Sequence, residues 1–83
     1  MDNGNNDPQI FSTLDAYRAG YLTLTGHSVR FQKDGQKIVF YFSNSDKLRA
    51  HLKDYENGAK VPAIEFARAV KELKSQICIM RGQ

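Results

Sequence analysis

Along residues 27–42, HSVRFQKDGQKIVFYF, apolar and polar side chains alternate on either side of Asp34-Gly35. A period of two marks a half-buried β-strand, and Asp-Gly between two such runs predicts a hairpin, because both residues tolerate positive φ. With Asp34 and Gly35 as the turn, Lys33 faces Gln36, and counting outward pairs Phe31 with Ile38, Val29 with Phe40 and His27 with Phe42 on one side. Gln32–Lys37, Arg30–Val39 and Ser28–Tyr41 fall on the other. The first side is the predicted core. The second carries one ring, Tyr41, beside Arg30, Lys37 and Gln32.

Helical periodicity predicts three further elements. The first is announced by Phe11-Ser12-Thr13-Leu14-Asp15, where Ser12 or Thr13 caps free backbone N–H groups and Asp15 suits the positive end of the helix dipole; Gly26 stops it. Leu14, Tyr17, Tyr21 and Leu24 form its apolar stripe. Gly20 costs up to about 1 kcal/mol inside a helix, which predicts a close approach by another backbone or ring, on a shallow surface that Ala16 extends. The second helix starts in Ser43-Asn44-Ser45-Asp46, ends at Asn57-Gly58, and carries Leu48, Leu52 and Tyr55 on its apolar side. Val61-Pro62 opens the third, with proline at the first helical position, and Phe66, Val70, Leu73, Ile77 and Met80 repeat at steps of four and three. That seam spans only about two heptads, so packing across the hairpin is expected in preference to a coiled coil.

The expected fold class is therefore α+β in two layers, helix–β-hairpin–helix–helix, with the hairpin's apolar face under helices one and three and helix two closing one end. Residues 1–10, MDNGNNDPQI, lack the basic start and apolar stretch of a secretory signal and read as a disordered leader before one small domain, residues 11–83. A chain of 83 residues buries roughly 60% of its unfolded surface, and a two-stranded sheet with two open edges is marginal alone. The helices must supply most of the stability.

Composition narrows the function classes. The 41% hydrophobic and 25% charged content is that of a globular domain, and no apolar run approaches the roughly 20 residues of a membrane span, so no membrane partner is expected. The single cysteine, Cys78, cannot form an internal disulfide and fits a reducing, cytoplasmic location. All 12 Lys and Arg lie after residue 10, whereas Asp2 and Asp7 lie before it, so the foldable part is more basic than the formal charge of +3. Such a bias favours contact with anions.

No phosphate loop, HExxH or nucleophile elbow occurs. His27 is expected at a strand start facing the apolar side and His51 beside Leu48 and Tyr55 on helix two; metal sites need three or four ligands, and neither histidine has them. Cys78, on the flank of the third stripe, reads as a buried or half-buried inert thiol. Asp15, Asp46 and Glu65 fall in first helical turns, where the helix dipole accounts for them. Neither enzymatic activity nor a cofactor is expected.

Several stretches resemble a small domain family of unknown function found in bacterial and phage proteins. They are Phe11-x-Thr13-x-Asp15, Ala19-Gly20-Tyr21-Leu22, Gly26-His27, Ile38-Val39-Phe40-Tyr41-Phe42, Asp54-Tyr55-x-Asn57-Gly58 and Ala63-x-x-Phe66-x-x-Ala69-x-x-x-Leu73-Lys74-x-x-Ile77. The resemblance covers nearly everything after residue 10. It implies a compact cytoplasmic domain, carries over no activity or ligand, and draws attention to the segment from Asp54 to Gly58.

The expected function is a non-enzymatic interaction module for an unknown protein partner or a second copy of itself. Its candidate surface comprises Arg30, Lys37, Val39 and Tyr41 on the uncovered sheet face, Tyr55 and Asn57 at the end of helix two, and Ile79, which like Ile64 falls off the third stripe. The alternative is an accessory nucleic-acid-binding domain using Arg30, Lys37, Arg68, Lys71 and Lys74, with Glu65 and Glu72 interrupting the patch. Platforms for single strands offer two or three stacking rings and this face offers one, so nucleic acid is not the favoured partner.

Overall fold

The computed structural model describes residues 9–82. Its elements are β1 (Ile10–Thr13), α1 (Ala16–Leu24), β2 (Arg30–Asp34), β3 (Lys37–Ser43), α2 (Asp46–Glu56) and α3 (Ala63–Gly82). The strands form one antiparallel sheet in the order β1-β3-β2. The α+β class, the hairpin and the three helices agree with the sequence pattern. Strand β1 is an addition to it.

Residues 10–13 pair with β3 from Ile10↔Ser43 to Thr13↔Phe40, covering an edge that a bare hairpin would leave open. Residues 1–8 of the expected leader lie outside the described residues. Its last residue, Ile10, opens β1, and the carbonyl of Gln9 accepts the Asn44 N–H at 2.8 Å. With this segment extended, the cap expected of Ser12 or Thr13 passes to Asp15, whose Oδ1 accepts the N–H groups of Tyr17 (2.9 Å) and Arg18 (3.3 Å). Thr13 Oγ1 in turn accepts the Asp15 N–H at 3.1 Å. A four-residue strand holds too few alternations to stand out in a sequence.

The hairpin turns at Gly35-Gln36, one residue later than expected. Asp34 pairs with Lys37, Lys33 with Ile38, Gln32 with Val39, Phe31 with Phe40 and Arg30 with Tyr41. Gly35 has φ 64° and takes the first turn position, where two-residue hairpin turns require positive φ, so Asp34 stays in the strand. Moving the turn by one residue displaces every partner by two, and a shift of two preserves the faces. Ile38, Phe40 and Phe42 are buried, with Phe31 and Val29 half-buried beside them. Phe31 meets Phe40 edge to face at 5.5 Å between ring centroids.

Phe40 and Phe42 centre a core completed by Ala19 and Leu22 of α1, Leu48 of α2 and Leu73 of α3. Burial of each large side chain contributes about 1.5–3 kcal/mol. Helix α1 uses a different face from the expected stripe: Leu14 and Tyr17 are 56% and 51% exposed, and of that stripe Tyr21 alone is buried, against Tyr55. Small residues decide this, since Ala16, Ala19 and Gly20 let the sheet and α3 approach where rings would hold them apart. The α3 stripe is as expected, with Val70 and Leu73 buried and Phe66, Ile77 and Met80 half-buried.

Element ends follow the polar groups. Ser45 Oγ accepts the Leu48 N–H at 3.0 Å and caps α2. Pro62 stands just before α3, one position earlier than expected, and its carbonyl accepts the Phe66 N–H at 2.9 Å. Both α1 and α2 close with paired bonds of the Schellman type, His27 N–H to Leu22 and Gly26 N–H to Thr23 in one, Ala59 N–H to Asp54 and Gly58 N–H to Tyr55 in the other.

Candidate functional site

The outer face of the sheet is ordered in cross-strand rows. Ser12, Tyr41 and Arg30 form one row, Val39 and Gln32 the next, and Lys37 and Asp34 the last. Ile10, Arg30, Phe31, Gln32 and Tyr41 line a hollow of about 320 Å³. Four expected surface residues, Arg30, Lys37, Val39 and Tyr41, are thus gathered on one face. The other three are elsewhere: Tyr55 and Asn57 at the C-terminal end of α2 and Ile79, 58% exposed, on α3.

Tyr55 has a structural partner set. Its ring lies 5.4 Å from that of Tyr21, the Arg18 guanidinium carbon sits 5.8 Å from its centroid, and Arg18 Nη2 approaches Glu56 Oε2 at 3.4 Å. Burial pushes the Tyr55 phenol above its ordinary range, the Asp15 carboxylate adds to this, and Arg18 opposes it. Arg18 Nε is buried without a hydrogen-bond partner, the guanidinium being held by the ring and by Glu56. Asn57 is exposed, with its N–H directed to the Lys53 (3.0 Å) and Asp54 (3.2 Å) carbonyls. The segment from Asp54 to Gly58 therefore anchors α2 to α1 and ends it.

A second hollow, of about 450 Å³, lies where α1 crosses α3 and was missed in the sequence pattern. Phe66, Ala67 and Val70 are its apolar lining, Tyr17 stands at its side, and Lys71, Lys74, Ser75 and Cys78 complete it. Tyr17 packs 6.5 Å from Phe66 between ring centroids. Lys74 Nζ donates to Tyr17 Oη at 3.2 Å and lies 4.7 Å from the ring centroid, a cation–π arrangement. No carboxylate lines this hollow, and neither lysine forms an ion pair among the described residues. Cys78 is exposed here, contrary to the buried or half-buried thiol expected, because its position on α3 turns away from the Leu73 and Ile77 side.

The basic residues do not form one patch. Lys71 and Lys74 share the second hollow, Arg68, three residues from Lys71 on α3, lines a different one together with Glu65 and Glu72, and Arg30 and Lys37 occupy the sheet.

The two histidines, read singly in the sequence, meet. His27 precedes β2, and its Nε2 lies 2.8 Å from His51 Nδ1, with the rings edge to face at 5.0 Å. One ring must donate and the other accept, so this contact needs at least one neutral imidazole. Burial lowers the His27 pKa from its ordinary value, with His51 and then Lys47 adding to the effect. Among the described residues no group of three or more His, Cys, Asp or Glu is placed to hold a metal ion. No helix among them is long and apolar enough to cross a membrane.

Compared with protein families, the chain matches over residues 8–79 the model described as Domain of unknown function (DUF5659). No curated protein and no solved structure matches it.

Proposed function

Because the chain belongs to the DUF5659 family, whose description assigns no activity, the function rests on the surface chemistry, and we propose a non-enzymatic interaction module that docks an acidic, apolar segment of a protein partner in the α1–α3 hollow. The observation that carries this reading is the pairing of an apolar floor with an unopposed cationic rim. Phe66, Ala67 and Val70 offer area to a buried anchor side chain, while Lys71 and Lys74 have no carboxylate among the lining residues. Tyr17, half in water and bridged to Lys74, supplies an aromatic wall with a polar tip. The exposed thiol of Cys78 accords with work in a reducing, cytoplasmic setting.

Division of the basic residues between the sheet, with Arg30 and Lys37, and α3, with Arg68, Lys71 and Lys74 interrupted by Glu65 and Glu72, favours a protein partner over nucleic acid, since a phosphate backbone is tracked by a continuous basic stripe. Labelled peptides with one Phe or Leu between glutamates test the reading by anisotropy, with lysine-substituted peptides as controls. Binding is expected for the acidic series alone and should weaken about tenfold or more in Lys71→Glu and Lys74→Glu. Absence of binding at millimolar peptide, or equal binding of both series, overturns it. A low-salt titration with oligonucleotides that gives a steeply salt-dependent signal would establish the alternative instead.

A further inference from the structure

Strand β2 is an edge: its one strand neighbour is β3, and residues 30–34 present their other side to solvent. Arg30 and Asp34 stand at its two ends on the outer face, four residues or about 13 Å apart, too far to pair with each other. Neither forms an ion pair among the described residues; Lys37 neighbours Asp34 across the hairpin and Tyr41 neighbours Arg30. We propose that β2 pairs antiparallel with β2 of a second copy about a two-fold axis at Gln32, joining two three-stranded sheets into one of six strands.

Charge selects this register. An axis at Gln32 sets Arg30 opposite the second copy's Asp34 and Asp34 opposite its Arg30, so both end charges are matched by one operation. On the inner face the same register sets Phe31 opposite Lys33, whose alkyl stem covers a ring that is half-buried in the single chain. Backbone geometry agrees. The two-residue turn makes Asp34 and Lys37 a hydrogen-bonded closing pair, and alternation from there directs the N–H and C=O groups of Phe31 and Lys33 outward, toward the second copy. Five residues of edge bury less than the roughly 1,200 Å² of a standard interface, so the dimer forms at high concentration and dissociates on dilution. Lys33 and the shortness of the strand oppose other pairings of this edge.

The interface is separate from the α1–α3 hollow, so its failure leaves the peptide-docking reading standing, and failure of that reading leaves this one. Sedimentation of the full chain from about 10 µM to about 1 mM tests it. The weight-average mass should rise toward twice the chain mass, and less so in high salt. Arg30→Asp alone and Asp34→Arg alone each place like charges opposite and should remain monomeric. Mixed in equal amounts they are complementary, and association should return as a heterodimer. Circular dichroism establishes that each variant is folded; should either charge variant not fold, Gln32→Glu, which sets two carboxylates together at the axis, takes its place and should also be monomeric. A wild-type chain that stays monomeric at the highest concentration overturns the proposal. So do folded single variants that associate like wild type, which would place self-association on another face, and folded variants whose mixture stays monomeric.

Discussion

Gly20 of α1 and Val70 of α3 meet where the two helices pack: a Cβ on Gly20 would stand 2.7 Å from Val70 Cγ2 and 3.5 Å from Val70 Cα and N. Glycine is unfavourable within a helix by about 1 kcal/mol relative to alanine, yet the contact leaves no room for the extra methyl. Valine is stiff at χ1 in a helix, so its methyl cannot swing aside freely. Overpacking costs about 1–3 kcal/mol and exceeds the propensity gain. Gly20→Ala is therefore expected to lower stability by about 1 kcal/mol in urea unfolding, and Val70→Ala should cost less in that background than in wild type. A stabilised Gly20→Ala would mean that α1 and α3 part without loss.

Adjacent residues of β3 should differ sharply. Phe40 is fully buried and Tyr41 lies on the outer face, so Phe40→Ala is expected to cost about 3–5 kcal/mol, a large part of a small domain's stability. Tyr41→Ala should cost less than about 1 kcal/mol. Equal losses in thermal melts would contradict the face assignment.

Strand β1 contributes an anchor as well as backbone pairing. Phe11 is half-buried, sits opposite Phe42 with ring centroids 6.4 Å apart, and packs on the core. Phe11→Ala is expected to cost about 1–3 kcal/mol, below the range for a fully buried ring. Were residues 10–13 a mere helix cap, the change would be almost neutral.

Burial of His27, and after it the contact with His51, makes stability depend on acidity. His27 has a folded-state pKa below its ordinary 6.5, so as pH falls the unfolded chain takes up a proton before the folded one does. The stabilisation is complete above the unfolded value and is lost as pH drops through the folded value. His51 and Lys47 on α2 are the charged or titratable groups acting on His27, and protonating both rings would leave two donors facing each other. Between about pH 7.5 and 5.5 the melting temperature should fall further for wild type than for a His27→Gln, His51→Gln double variant. Parallel curves would remove the contact as the cause.

Much of the fold is local and was therefore legible in the chain itself. Alternation sorted Phe31, Ile38, Phe40 and Phe42 to one side even though the turn lies one residue later, because an even displacement of partners keeps the faces. Capping oxygens and glycines placed the ends of α2, and the three- and four-residue spacing gave the buried side of α3. What remained hidden depends on neighbours distant along the chain. Residues 10–13 become a strand only because β3 offers an edge, and α1 turns Tyr17 outward because the sheet and α3 close on its small residues. The Tyr17–Lys74 hollow and the His27–His51 contact join residues 57 and 24 positions apart. Sequence settled the hairpin, the three helices and the greasy sides of β3, α2 and α3 through backbone periodicity; only tertiary packing decided strand β1, the buried side of α1 and which polar side chains meet, since those are matters of distances in space.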